Sequence, residues 1–380
     1  MLGNIYNILL MVLQPNIKKH RPRLKPKFPN FSCGPTKKPP GWSLEKLKTH
    51  YFSRYHRSKT IKNYIGIIIE KIRFSLKIPK EYKILITPGS CTGAMEAVIW
   101  SLLSNKKKIT NLIYDCWGDQ WRDEINKLGL KQNILRCLNG EMPNYNEINI
   151  DDDIIFVWTG TSTGMSIGNC NWIQKNDKRI TICDATSAAF IYKLEWEKLD
   201  VTVFSWQKAL GSESQHGIVV LSPNAQERLE ILKKKNIPKT LDLNSKDFPI
   251  NTPSLLCLSD FDFSLDWFIN AGGLEWSINH CKKNKEVLDK WISNKKYLSY
   301  FCKNYEFQSI TPCFFKLNNK KDKIGLKKVI NFLEKENIAF DIESYRKIDL
   351  GIRIWNGPTI LKKDLMILTN WLDWTFENII

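Results

Sequence analysis

Four short apolar runs in this 380-residue chain end in residues able to do chemistry. In a parallel sheet, ligands gather at the carboxyl ends of strands, so the positions just past each run are the ones to read. After KILITP (83–88) comes Gly89-Ser90-Cys91-Thr92-Gly93, leading into a helical pattern. Small residues let the backbone curl, and the open N–H groups of a helix start favour an anion such as a phosphate; the same residues also make a plain strand-to-helix turn. No GK[ST] follows, which removes a nucleoside triphosphate as the default ligand. After NLIYD (111–115) come Cys116 and Trp117, the latter either core packing or a flat platform for a planar ring. RITICD (179–184) ends in Asp184, a helix cap or a carboxylate held against a cofactor cation. VTVFSW (201–206) is followed by Gln207 and Lys208. A lysine behind so apolar a run either reaches solvent or is desolvated, and desolvation lowers its pKa and suits it to Schiff-base chemistry.

Together these positions meet the needs of pyridoxal 5′-phosphate. Its phosphate needs a helix start, its pyridine nitrogen a carboxylate, its aldehyde an amine. The combination is far more specific than any of its parts.

Longer motifs carry a resemblance. Asn30-Phe31-Ser32-Cys33-Gly34-Pro35, His56-Arg57-Ser58-Lys59, Asp184-Ala185-Thr186-Ser187-Ala188, Phe204 to Gly211, Asn251-Thr252-Pro253 and Gly351-Ile352-Arg353-Ile354-Trp355 occur in the order seen in phosphoserine aminotransferases. The chain resembles that family over essentially residues 28–378, in the divergent form found in alphaproteobacteria and some archaea. The resemblance implies a fold-type I pyridoxal-phosphate transferase, homodimeric and cytoplasmic, with sites at the subunit interface. Its large domain would carry a mainly parallel seven-stranded sheet and its smaller C-terminal domain an α+β arrangement. Lys208 would be the Schiff-base lysine and Asp184 the partner of the pyridine nitrogen. Trp117 would stack on the ring, while Ser90, Cys91, Thr161 and Gln207 would hold cofactor phosphate and hydroxyl. Asn251 and Thr252 would reach the cofactor phosphate of the neighbouring subunit. Arg353 would pair with the substrate α-carboxylate, and His56, Arg57 and Arg346 would bind the phosphate of phosphoserine. The implied reaction is ping-pong transamination of O-phospho-L-serine and 2-oxoglutarate to 3-phosphohydroxypyruvate and L-glutamate, run towards serine in the cell. Two departures stand out: Thr159-Gly160-Thr161 where Asn-x-Thr is usual, and Tyr345-Arg346 where many members have His-Arg.

The elements that must position these residues follow from periodicity. Ile61 to Lys77 is amphipathic, 94–103 helical, and DIIFVW (153–158) and GIVVLS (217–222) are further strand candidates. Short apolar strands between helical stretches argue for an α/β fold. After Asn251-Thr252-Pro253, residues 260–300 read as one long helical region. CFFKL, a segment near 322–336, AFDI, GIRIW and a terminal helix near 361–377 follow. The reading is an extension over 1–28, expected to be flexible, a large domain over 29–265 and a small one over 266–380.

Composition sets the outer limits. With 43% hydrophobic and 12% aromatic residues the chain can build a large core, which excludes disorder. The net charge of +18 invites a polyanion, yet +13 of it lies in the first 62 residues, and the rest is only mildly basic. A basic RNA-binding protein is the alternative from another class; within the enzymes, an alanine–glyoxylate-type transaminase or a cysteine desulfurase. The ten cysteines show no CxxC pair and the five histidines no metal spacing, so reduced thiols and no metal site are expected. The opening apolar run is too short to span a bilayer and no other stretch qualifies, so no membrane or nucleic-acid partner is expected.

Overall fold

Alternating strands and helices build a seven-stranded, mainly parallel sheet. The computed structural model describes residues 20–174, 178–233, 236–245, 249–319, 323–345 and 348–379. In chain order the first strands are β1 (Lys83–Pro88), β2 (Ile109–Ile113), β3 (Gln132–Arg136) and β4 (Asp153–Val157). A two-residue hairpin comes next, β5 (Thr159–Gly160) with β6 (Met165–Ser166). Then come β7 (Thr181–Asp184), β8 (Val201–Phe204) and β9 (His216–Leu221). The sheet order is β1-β9-β8-β7-β4-β2-β3, and only β9 runs antiparallel to its neighbours, β1 and β8. Strands β1, β2, β4, β7 and β8 therefore deliver their carboxyl ends to one edge, where the β5–β6 hairpin also lies.

Burial explains the patterns. Strand β2 and strands β4, β7, β8 and β9 are buried at every position, hence their unbroken apolar character. Edge strand β3 is mostly exposed, and its polar sequence gives no strand signal. Three helices accompany the first strands: α1 (Lys59–Leu76), α2 (Ser90–Leu102) and α3 (Cys116–Lys127). Ser58 caps α1 by accepting from Ile61 N, and Asp115 caps α3 by accepting from Trp117 N and Gly118 N. Next come α4 (Pro223–Leu232), α5 (Leu255–Asn270) and α6 (Gly273–Ile292). The single helix expected over 260–300 is thus two. The chain breaks at Gly272, whose φ of 113° lies in the left-handed region. Residue 265, read as a domain boundary, lies inside α5.

The C-terminal part is a three-stranded antiparallel sheet, β10 (Leu298–Tyr300), β11 (Cys313–Leu317) and β12 (Gly351–Ile354), with α7 (Lys323–Lys335) and α8 (Lys362–Ile379). AFDI is not a strand; its Phe340 makes only an isolated bridge to Asn30. That bridge marks a difference at the amino terminus too. Of the extension expected to be flexible, residues 20–28 are described, and they are tied to the C-terminal helices. Arg21 pairs with Glu336 at 2.8 Å, Lys27 N donates to Asp364, and Trp371 Nε1 donates to Leu24 O. Residues 1–19 lie outside the described residues.

Candidate active site

The strand-end edge opens into a cavity of about 210 Å³. Eight residues expected from sequence line it: Ser90, Cys91, Trp117, Thr161, Asp184, Gln207, Lys208 and Arg353.

Helix α2 starts one residue after β1. Gly89 turns the chain at φ 84°, and its N–H and that of Ser90 both donate to Gln215 O. Gly93 N donates to Gly89 O. The next two first-turn amides, Cys91 and Thr92, take no protein acceptor among the described residues, which leaves them for an anion at the helix start. Strand β9 supports this turn closely: a Cβ on Gly217 would sit 2.4 Å from Ser90 O, so only glycine fits.

Lys208 is 9% exposed, and its Nζ donates to Cys33 O at 2.5 Å. Burial, then the charge of Arg353, pulls its pKa down to about 8. The acceptor is held by a short loop: Thr36 N donates to Gln207 O and Thr36 Oγ1 to Lys208 O. Gly34 lies against the lysine so tightly that a Cβ would come 2.4 Å from Nζ.

Asp184 ends β7 wholly buried, and burial raises its pKa. Thr186 opposes that rise first, through its N–H at 3.0 Å from Oδ1 and its hydroxyl, then the Cys91 thiol at 3.4 Å on Oδ1 and Trp121 Nε1 at 3.1 Å on Oδ2. The Cys91 thiol is itself pushed far up by burial and by Asp184, so it is a neutral S–H donor. Arg353, on β12, donates from Nη1 to Thr161 O at 3.2 Å, and its guanidinium lies 5.1 Å from the Tyr345 ring. Thr161 Oγ1 shares a 2.5 Å hydrogen bond with Ser187 Oγ. Tyr345 stacks in turn on Trp117 at 5.9 Å and 17°.

The cavity also shows unspent bonding capacity. Gln207 Oε1 and Arg353 Nε are buried without a hydrogen-bond partner among the described residues. Buried polar atoms are normally paired, so these two await a ligand. With a desolvated amine, a buried carboxylate and open helix-start amides, the donor set fits pyridoxal phosphate.

Other expected residues lie elsewhere. His56 and Arg57 do not line this cavity; Arg57 Nε donates to His56 Nε2 at 3.2 Å, and burial and then the Arg57 charge lower the imidazole pKa. Asn251 and Thr252, assigned to a second subunit's site, do not line it either; Asn251 Nδ2 donates to Thr252 O. Arg346 lies outside the described residues. Conversely, Cys33, Gly34, Trp121, Ser187 and Tyr345 line the cavity without having been assigned to it. Cys33, Gly34, Ser187 and Tyr345 stand in or beside the motifs that carry the resemblance, and Trp121 is marked by its spacing of four from Trp117. Among the described residues there is no cluster suited to a metal ion and no helix long and apolar enough to cross a membrane.

No family model matches the chain. A phosphoserine aminotransferase of Methanosarcina barkeri is 37% identical over 369 residues, covering 94% of this chain and 99% of the relative. The chain belongs to the phosphoserine aminotransferase family. Its fold is that of the fold-type I aminotransferases. A pyridoxal-phosphate-bound phosphoserine aminotransferase from Trichomonas vaginalis superposes with a TM-score of 0.77 at 19% identity, covering 91% of this chain and 100% of that one. An aspartate aminotransferase from Thermus thermophilus also reaches 0.77 at 19%, covering 92% and 99%. The shared fold therefore does not choose the substrate; within the family, the residues must.

Proposed function

We propose that this chain is a pyridoxal-phosphate-dependent transaminase that interconverts O-phospho-L-serine and 2-oxoglutarate with 3-phosphohydroxypyruvate and L-glutamate, serving serine biosynthesis in the cytoplasm as a homodimer. The observation that carries the reading is the pair of opposite buried groups, Lys208 and Asp184, in one cavity of a chain that belongs to this family.

Pyridoxal phosphate, when bound, supplies an aldehyde for amine condensation and a protonated ring that accepts the electron pair freed at the substrate Cα. Ser90, Cys91 through its amide, Gln207 and Thr161 would hold its phosphate and hydroxyl, with Asn251 and Thr252 reaching the neighbouring subunit's cofactor. Trp117 would cover one face of the ring. Asp184 would keep the ring nitrogen protonated, a task that needs a carboxylate and not a carboxylic acid. Lys208 would hold the cofactor through its aldehyde, and its amine, once freed, would accept and return the proton at the substrate Cα. A lysine near pKa 8 is suited to both roles, since a useful fraction is neutral near pH 7–8 while the ammonium remains accessible. Arg353 has a donor to spare and would grip the α-carboxylate. His56, Arg57 and Arg346 would take the substrate phosphate, from this subunit or its neighbour.

The test is the absorbance spectrum of the purified protein with and without phosphoserine, followed by turnover on phosphoserine, serine, alanine and aspartate. A visible cofactor band that bleaches with phosphoserine, and preference for it over the others, is expected. A colourless protein, or one that prefers an unphosphorylated donor, would sink the reading.

A further inference from the structure

Asp184 has a donor that the proposed mechanism leaves unused. Trp121 stands four residues after Trp117 on α3, so both side chains leave the same face of the helix. It is 1% exposed, its ring lies 6.5 Å from that of Trp117 at 29°, and its Nε1 donates 3.1 Å to Asp184 Oδ2. The turn that carries them is fixed from below by Asp115, whose Oδ1 accepts from Trp117 N at 2.9 Å and Gly118 N at 3.1 Å. Asp115 is fully buried and in turn accepts from Ser162 Oγ.

A carboxylate offers about four acceptor positions on its two oxygens. On Asp184, two donors occupy Oδ1 and Trp121 occupies one position on Oδ2. One position on Oδ2 is left for a ring N–H. Without the indole, Oδ2 loses the donor seen on it, and the carboxylate is held only from the side of Thr186 and Cys91.

We propose that Trp121 is a positioning residue for the cofactor ring: its indole N–H fixes Asp184 Oδ2 in orientation. With Trp117 one turn earlier, a single helix turn sets both the aromatic face and the carboxylate against which the ring lies. The proposal rests on the cofactor reading above. Burial already raises the proton affinity of Asp184, and Trp121 is one of the donors holding it down. Removing that donor makes the carboxylate easier to protonate, so the partner of the pyridine nitrogen is lost at a higher pH than in the parent.

Trp121→Phe keeps an aromatic ring but removes the N–H together with the volume of the five-membered ring. The experiment compares wild-type and Trp121→Phe holoenzyme by pH titration of the visible cofactor band, by loss of that band on dialysis, and by melting of the apo forms. Expected are a titration midpoint moved to higher pH and cofactor release about tenfold easier, the cost of one charge-assisted hydrogen bond, beside an apo melt lowered by the lost ring volume alone. An unmoved titration with equal retention overturns the proposal, as does a lowered apo melt with an unmoved titration, which would make Trp121 mere packing. A wild type that never acquires the band defeats the cofactor reading itself, an outcome visible before any variant is compared. Should Trp121→Phe not fold, wild-type and Asp184→Asn protein labelled with 15N-tryptophan carry the test. An exchange-protected indole N–H signal must move when the carboxylate becomes an amide; no movement overturns the proposal.

Discussion

Two lysines of this molecule are drawn out of water and respond in opposite directions. Lys71, on α1, faces α5, where Asp262 and Asp266 each lie 2.5 Å from its Nζ. Burial works against its charge, but the hydrogen bonds to these two carboxylates hold its pKa above the ordinary value. Lys208 also loses water, yet among the described residues its Nζ hydrogen-bonds only to the Cys33 carbonyl, and its pKa falls to about 8. The surroundings of Lys71 repeat the same theme: Asp262 also pairs with Lys48, and Asp260 accepts from Lys38 Nζ, Trp42 Nε1 and Glu213 N. In that cluster each buried carboxylate has a cation, and the cluster ties residues 38–71 to α5. In the cavity the buried charges are kept apart and left with capacity to spare. A buried charge fully matched by its neighbours is structural; one left unmatched is available for chemistry.

The contrast is broken most severely at Lys208. Lys208→Ala should abolish the visible cofactor band and lower turnover by about four orders of magnitude or more, since the proposed mechanism asks this amine both to hold the cofactor and to carry the proton. The protein should still melt cooperatively as apoenzyme. Retained turnover would end the mechanism. Asp184→Asn keeps the shape and removes the charge, so turnover should drop by roughly 10²–10³-fold while the band persists. A rate within a factor of two of the parent would mean that the ring nitrogen needs no carboxylate here.

The matched cluster should fail in the other way. Asp262→Ala strands Lys48 and one bond of Lys71, which should cost roughly 2–3 kcal/mol in urea unfolding while leaving kcat of the folded fraction near the parent's. Lys71 keeps Asp266, which is why the loss stays below that of a fully orphaned pair. A fall in kcat without loss of stability would erase the distinction between the two clusters. Arg353→Lys is subtler. It keeps the charge but loses the fork that binds a carboxylate twice, so kcat/KM should fall by about 10–50-fold for both substrates, mainly through KM.

How much of this was legible beforehand depends on what each residue answers to. The strands feeding the site announce themselves because both their faces are covered, and only a few residues sit just past each apolar run; Asp184 and Lys208 are found that way. Edge strand β3 and the break at Gly272 are set by solvent on one side and by a single backbone angle, neither of which leaves an apolar period. Cys33 and Gly34 reach Lys208 from 174 or more positions earlier in the chain, a contact made by tertiary packing alone. The basic amino terminus likewise answers to contacts far along the chain. Arg21 and Lys25 spend their charge on Glu336, and the Arg21 guanidinium lies over Trp371 at 5.5 Å, so part of what composition offered to a polyanion is used within the chain.

The smallest expected effect bears directly on the comparison, because it concerns what an unmatched charge does to the fold before any cofactor arrives. In unfolded chain Lys208 titrates near its ordinary 10.5, and in the native apo state near 8. Below pH 8 it is protonated in both states, and the cost of keeping an ammonium in the cavity is fully present. Between pH 8 and 10.5 the native state has shed the proton that the unfolded state still binds, so stability rises with pH; above that range both are neutral and the cost is gone. Lys208→Met removes the charge at every pH. At pH 7 the apo variant should therefore be more stable than apo wild type by roughly 1–2 kcal/mol, less than the linkage alone gives because the hydrogen bond to Cys33 O is lost too. The advantage should shrink as urea melts are repeated from pH 8 to 10. The paired lysine gives the opposite sign: its native pKa is raised, so Lys71→Met should be less stable than wild type at pH 7. If both methionine variants shift stability in the same direction, matched and unmatched burial are not the difference between these two regions.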